Sequence, residues 1–464
     1  MVILDGTIVN VALPSIQSDL GFSQSSLAWV INSYLIAFGG LLLLSGRLGD
    51  LIGRKRILLA GLAVFTAASL LCGLSVSPEM LIAARFVQGV GGALSSAVAL
   101  GMIVTMFPEP REKARAFGVY SFVASAGASI GLLAGGILTQ AISWHWIFFV
   151  NVPIGLVAGL LSWRLLESDR GIGIGRGADV IGAVLVTGAL MLGVYTIVGT
   201  STYGWGSVRT VSLGVVSVLM LAGFVARQAT AKKPLLPLKI FRPRNVWGAN
   251  LVQFLLVAGM LAFFFMNTLY LQRVVGFNPL QIGLAFMPVA FTIGALSLGV
   301  SARVTTRFGA RKVLLPALAL VAAGLALYIR VPVQSNYVTD LLPGMLLLGV
   351  GAGLVFPALA TLAMSSATES DSGMASGLLN TTAQVGGALG LAVLATVAAS
   401  QTAQLLAGGE SAASALTGGF RIVFEIGTGL LVAAILLSAT VLQPTAERPA
   451  SEREPDDAAA EDAA

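Results

Sequence analysis

Apolar runs of about 20 residues, each the length that crosses a bilayer core as a helix, recur along the whole chain with short loops between them. Nothing else in the sequence constrains the fold as tightly. Of 464 residues, 56% are hydrophobic and 10% are charged, against roughly 25% charged in soluble domains. That is too little charge to clothe two or three water-exposed domains, and the mean hydropathy of +0.90 agrees. The expected fold is an all-α polytopic membrane protein. One cysteine, Cys72, excludes an intramolecular disulfide and argues against a thiolate zinc site. One histidine, His145, leaves no histidine cage for a metal. The net charge of +6 does not imply nucleic acid, because the basic residues sit in short loops between apolar runs.

Spans are expected near 1–16, 27–46, 56–77, 79–106, 114–140, 144–166, 178–199, 208–227, 245–271, 279–303, 311–330, 337–365, 373–400 and 419–442, fourteen in all. The basic residues test this count. Taking alternate loops as cytoplasmic, from the loop after the second span, places 22 of the 27 Lys and Arg residues on one side. Only Arg209, Arg273, Arg330 and Arg421 fall on the other, and Arg85 lies inside the fourth span. This positive-inside asymmetry predicts a multi-pass protein of the cell (plasma or inner) membrane with both termini cytoplasmic. Residues 443–464 are acidic, rich in Ala and Pro, and are expected to be disordered. The first span is short, holds Asp5 and is closed by Pro14, so a start upstream of Met1 is expected. No cleavable signal peptide fits, since the first apolar run has no basic flank and carries an acid.

An internal repeat organises the chain. The segment from Ser45 (SGRLGDLIGRKRILL) echoes the segment from Ser301 (SARVTTRFGARKVLL) at an offset of 256, aligning Arg47 with Arg303 and Gly53 with Gly309. Gly127 and Gly131 are echoed more weakly by Gly386 and Gly390. Both basic segments join the second and third spans of a six-span unit if the seventh and eighth spans are an insertion. The expected organisation is a six-helix bundle over 1–166, inserted helices with a basic linker over 167–244, a second bundle over 245–442, and the tail. Parallel six-helix repeats suggest a transporter whose halves rock about a central site.

A few polar residues inside the spans stand out. An acid in a spanning helix costs about 2.5–3.5 kcal/mol on insertion scales, so Asp5 either lines a polar cavity or caps a short helix at the membrane face. Arg85 must likewise be paired or face water. Asp50 and Arg54, four apart in the turn after the second span, can pair if helical geometry continues. Gly46, Gly49 and Gly53 let that loop turn tightly, and Arg54, Lys55 and Arg56 anchor it on the cytoplasmic side. Gly127, Gly131 and Gly135, with Gly136 beside them, form a small-residue stripe for close helix contact, or a water-excluding seam. Arg421 and Glu425 read as an i,i+4 pair, and Trp144 and Trp146 as an interfacial belt around a solvated His145. Asn10, Gln88, Asn250, Gln253, Asn267, Asn380 and Gln384 are intramembrane amides. With Phe263, Phe264, Phe265 and Tyr270 they suit either ordinary packing or an adaptable pocket for amphipathic molecules.

Several segments resemble the major facilitator superfamily, specifically its fourteen-span drug:proton antiporter family, over nearly the whole chain. LDGTIVNVALP is similar to that family's helix-1 signature, GRLGDLIGRKR to the cytoplasmic gate motif, and LIAARFVQGVGGAL to the helix-4 proton-coupling motif. WHWIFFVNVPIG is similar to the segment opening helix 6, and PLLPLKIFRPRN to the loop before helix 9. The resemblance implies proton coupling through Arg85, a cavity lined by helices 1, 4, 9 and 12, and an Asp50 lock against helix 13. One departure stands out: the family's helix-5 motif has Pro where this chain has Leu132, and Leu does not kink a helix.

The expectation is a proton-driven exporter of amphipathic drugs or antibiotic-like metabolites. It would act as a monomer in the lipid bilayer, using the proton gradient and no cofactor, with Asp5 as the proton carrier. Leu132 keeps open a facilitator or importer of a small nutrient. An enzyme or receptor is disfavoured, because one His and one Cys supply no convergent catalytic set and the short loops leave no room for a sensor domain.

Overall fold

The computed structural model describes residues 1–106, 119, 123, 127, 130–167, 171, 179–232, 234–364 and 372–443. Among these residues the ordered elements are helices and no strand is present. In lipid each backbone N–H and C=O must be satisfied within its own segment, which is why apolar runs of this length become helices. In chain order they are α1 (Val2–Leu20), α2 (Trp29–Ile52), α3 (Arg54–Gly73), α4 (Pro78–Met106), α5 (Ile130–Ala141) and α6 (Trp146–Leu165). Next come α7 (Val180–Tyr203), α8 (Val208–Thr230) and α9 (Arg244–Arg273). α10 starts as Pro279–Ala295, passes through a π-turn at Leu296–Val300 and ends as Ser301–Phe308. α11 (Ala310–Tyr328), α12 (Tyr337–Met364), α13 (Ser372–Ala407) and α14 (Ala412–Thr440) complete the set. Eleven of these are long and apolar enough to cross a membrane; α1, α5 and the first part of α10 fall short of that measure.

Two expectations about helix ends are corrected. Pro14 does not close α1 but lies inside it, and the helix continues to Gly21, whose left-handed φ of 72° ends it. Pro14 removes one N–H donor without stopping the chain, because the turns on either side keep their own bonds. Gly46, Gly49 and Asp50 are not in a loop: α2 runs six residues past its expected end to Ile52. The turn is Gly53 alone, at φ 112° and ψ 131°, a conformation only glycine adopts without strain. The basic loop 107–118 and the tail 444–464 lie outside the described residues.

The sequence repeat has a structural counterpart. Gly309 makes the same one-residue turn between α10 and α11, at φ 84° and ψ 141°. The N–H of Gly53 bonds the Gly49 carbonyl and that of Gly309 the Thr305 carbonyl. One residue pair 256 apart does the same work in both halves. Lys55 Nζ donates to the Trp163 and Leu166 carbonyls at the end of α6, and Arg311 Nη2 donates to Ala439 O at the end of α14. Each basic side chain thus caps the carbonyl end of a helix, where a cation is favoured.

Packing follows the same division. α2, α3, α4 and α6 pack together, as do α9, α11, α12, α13 and α14. The α7–α8 hairpin sits beside both groups. Leu190, Val194 and Val198 of α7 bury against Trp29 and Ile36 of α2 and Ala388 and Ala392 of α13. α2 and α13 also cross directly, with Gly39 leaving room for Gln384. At the end opposite the Gly53 and Gly309 turns, α1 and α5 meet α9 and α10. Arg273 bonds Gln17, Gln140 accepts from the Leu280 N–H, and Gly136 faces the Pro279–Leu280 backbone.

Candidate functional site

Asp5 and Arg85 meet. They lie 80 residues apart on α1 and α4, yet Arg85 Nη1 donates to Asp5 Oδ2 at 2.6 Å. Asp5 is fully buried and Arg85 is 1% exposed, so this is an ion pair sealed from bulk water. Asp5 is therefore no surface cap, although it stands in the first turn of α1. Two uncharged donors complete its shell: Gln88 Nε2 at 2.9 Å and Asn151 Nδ2 at 2.8 Å, both to Oδ1.

Helical spacing explains how the cluster assembles. Arg85 and Gln88 are three apart, so α4 presents them on one face, and Arg85 Nη1 also reaches Gln88 Oε1 at 2.5 Å. Ser69 and Cys72 are three apart on α3. Ser69 Oγ accepts from Gln88 Nε2 at 2.7 Å, while the Cys72 thiol donates weakly to Gln88 Oε1 at 3.7 Å. The guanidinium is held on its other side by α2, where Arg85 Nε donates to Val30 O at 2.9 Å. Its flat face lies 4.4 Å from the Tyr34 ring centroid, an attractive cation–π contact in a desolvated setting. Five helices therefore converge on one charge pair. Losing either partner would strand the other charge, which costs about 3–5 kcal/mol in a buried pair.

Chemically, the arrangement is a carboxylate whose negative charge is met by one cation and two amide donors. A proton delivered to Asp5 would cancel that charge, leaving Arg85 with Val30 O, Gln88 Oε1 and the Tyr34 ring. The packing of all five helices is thus tied to the charge state of one side chain.

The other predicted residues divide. Asp50 and Arg54 do pair, at 3.1 Å across the Gly53 turn. Asp50 faces solvent, and residues 365–371, which lead into α13, lie outside the described residues. Gly46 stands in ordinary contact with Ala97, and Gly49 gives Val98 of α4 room for close approach. Gly127, before the start of α5, lies near Leu4, while Gly131 and Gly135 of α5 lie against the Leu4 and Ile8 carbonyls of α1. Gly386 and Gly390 of α13 lie against Phe254 and Ala258 of α9 in the same way. Gly136 turns toward α10 instead, and Gly283 of α10 receives the Leu132 carbonyl in return.

The amides do not gather in one pocket. Asn10 bonds its own helix at Gly6 O, and Asn250 joins α9 to α13 by accepting from Thr382 at 2.8 Å. Gln253 is buried, Asn380 is exposed and Gln384 is half-buried against Gly39. Asn267 is fully buried on α9, and Phe263 of the same helix packs 4.8 Å from Tyr328 and 5.6 Å from Phe424. Phe264 is half-buried beside Phe286. Tyr270 is core, its hydroxyl donating to Pro332 O.

Two minor readings are corrected. Arg421 donates to Val331 O through Nε and Nη2, and among the described residues it forms no ion pair with the exposed Glu425. The free loop carbonyl lies closer to hand than an acid one turn away. Trp144 is buried and donates to Asp19 at 2.8 Å, with His145 stacked on it at 3.8 Å, so only Trp146 of that pair is exposed. Sequence reasoning also missed Asn151, Ser69 and Tyr34. Asn32 of α2 was missed too: it is fully buried, and its amide has no partner among the described residues.

Comparison with known proteins agrees with this architecture. The family model described as "Major Facilitator Superfamily" matches residues 1–391. The chain is 41% identical to the puromycin resistance protein pur8 of Streptomyces alboniger, over 94% of this chain and 88% of that one. It is 40% identical to the cephamycin export protein CmcT of Amycolatopsis lactamdurans, over 87% and 83%. It is 35% identical to the tetracenomycin C resistance and export protein of Streptomyces glaucescens, over 86% and 74%. In fold it is similar to a bacterial homologue of the human lysosomal transporter Spinster, solved in an inward-facing and unoccupied conformation (TM-score 0.66, 16% identity, 97% of this chain and 96% of that one). A peptide transporter of the POT family is similar at TM-score 0.65 and 16% identity, over 97% and 98%. These proteins are transporters rather than enzymes, and the chain belongs to the Major Facilitator Superfamily.

Proposed function

We propose that this transporter exports amphipathic, antibiotic-like molecules in exchange for protons, by alternating exposure of a site between the bundles 1–166 and 245–442. The observation that carries the reading is the sealed Asp5–Arg85 pair, tied to five helices. A buried carboxylate whose charge is matched by one arginine gives a proton a place to act on helix packing. Relatives named for puromycin resistance, cephamycin export and tetracenomycin C export support an antibiotic-like cargo and outward transport. In this reading the basic turns at Gly53 and Gly309 face the cytoplasm, in keeping with the distribution of Lys and Arg. The contacts among α1, α5, α9 and α10 then close the external end, with Gly136 and Gly283 making the water-excluding seam. The inserted hairpin is an addition to the two bundles, and Asp50 with Arg54 and Lys55 serves the cytoplasmic gate.

The test is dye efflux driven by a pH gradient in inverted vesicles. D5N is expected to abolish gradient-driven efflux while the purified protein still binds dye. Undiminished gradient-driven efflux by D5N would overturn the proton role. Downhill dye movement indifferent to the gradient in the unsubstituted protein would favour the facilitator reading that Leu132 keeps open.

A further inference from the structure

At the end of the molecule opposite the Gly53 and Gly309 turns, a crevice of about 150 Å³ opens between two turns. One wall is the α1–α2 connection with Ser23, Ser26 and Trp29. The other is the tip of the α7–α8 hairpin with Tyr195, Tyr203 and Arg209. Its lining includes one cation and no acid. Arg209 lies 4.1 Å from the Tyr203 ring centroid and donates to Tyr195 Oη at 2.6 Å, so its guanidinium is held in place. Among the described residues it makes no ion pair. The start of α8 adds no free donor at its N-cap contact, because Ser207 Oγ already accepts from the Thr210 N–H.

Size and surroundings define what fits. A cavity of this volume holds one small group, whereas drug-sized ligands need about 300–1,000 Å³. The crevice is therefore not the cargo site. Hydroxyls and an ordered guanidinium without a carboxylate match a phosphate. Tyr203 and Trp205 are exposed beside it, as aromatic side chains are at a membrane–water boundary. Val208, Val211 and Val215 continue from it along α8 as exposed apolar surface, a track for acyl chains.

We propose that this crevice binds the phosphate headgroup of an anionic phospholipid from the leaflet opposite the basic turns. The lipid braces the hairpin against the α1–α2 connection. The proposal needs a membrane-spanning fold but no particular cargo or proton coupling, so it stands or falls separately from the exporter reading.

The test uses the full-length protein in detergent, titrated with phosphatidylglycerol or phosphatidylcholine and followed by native mass spectrometry and thermal melting. The unsubstituted protein is expected to retain phosphatidylglycerol preferentially and to melt higher in it. R209Q is expected to weaken phosphatidylglycerol retention about tenfold, the loss of one charge-assisted contact, while melting as the unsubstituted protein does in phosphatidylcholine. R330Q, an exposed arginine at the same end, is expected to change nothing. Three results would overturn the proposal: preferential retention that survives R209Q, no preference in the unsubstituted protein, or inorganic phosphate reproducing the full shift in melting. The last would mark a site for a free anion. If R209Q does not fold, Y203A removes the stacking partner and is held to the same expectation.

Discussion

Asp5 and Arg85 were legible as single residues because a charge inside an apolar run has few reasons to be there. That they meet was not legible, since nothing in the chain fixes how α1 and α4 lie side by side. Their neutral neighbours were harder still: Asn151 and Ser69 are unremarkable near helix ends, and only the fold turns them toward the pair. The ion pair makes a quantitative prediction. R85Q should destabilise the protein by about 3–5 kcal/mol by stranding the Asp5 charge, whereas D5N/R85Q should recover a large part of that loss. Unfolding followed by Trp fluorescence in mild detergent measures the cycle, and additive losses would contradict a coupled pair. Removing one shell donor with N151A should cost about 1.5–3 kcal/mol, the range for a hydrogen bond to a charged group.

At the level of elements, the length of apolar runs located the helices, but it marked their ends poorly. α2 outruns its apolar stretch because Gly46, Arg47, Gly49 and Asp50 continue a helix that packs on α4 beyond the expected boundary, and only Gly53 stops it. The paired turns make a matched prediction. G53A and G309A should each cost about 1–3 kcal/mol, because both force a Cβ into a positive-φ, extended-ψ conformation that L-residues avoid. Equal losses in thermal unfolding would show that the repeat is mechanical as well as textual.

The hairpin base offers a pH test. Burial alone would raise the Asp179 carboxyl, but bonds from the Gly182 N–H, Arg227 and Gln228 outweigh it and hold the group below its ordinary range. A depressed carboxylate stabilises the fold fully above its unfolded pKa, and that contribution fades as pH falls through the folded value. Protection factors of the α7 amides, which remove the intrinsic pH dependence of exchange, should therefore fall on acidification below the ordinary carboxylate range. D179N should exchange faster already at neutral pH and lose most of that acid dependence.

For the whole molecule, the two bundles meet at the α1, α5, α9 and α10 end and along the α2–α13 crossing. Cysteines placed at Gln17 and Arg273, whose side chains bond each other across this end, can be joined in a C72S background by a bifunctional thiol reagent with a cleavable spacer. Crosslinking is expected to arrest efflux and cleavage of the spacer to restore it. Undisturbed efflux in the crosslinked protein would mean that this end stays shut throughout the cycle. At this scale the family was readable from motifs, and the repeat from its paired basic segments. The hairpin's position was not, because α7 is apolar on nearly all sides and its sequence does not say which helices it will join.

That position has a mechanical consequence. α7 spans the α2–α13 crossing and buries side chains against both helices, much as a strap lies across one edge of a folded sheet. Two bundles free on every side could tilt about any axis in the membrane plane. With one edge strapped, the least costly tilt pivots along that edge, and the far edge, where α5 faces α10, swings through the larger arc.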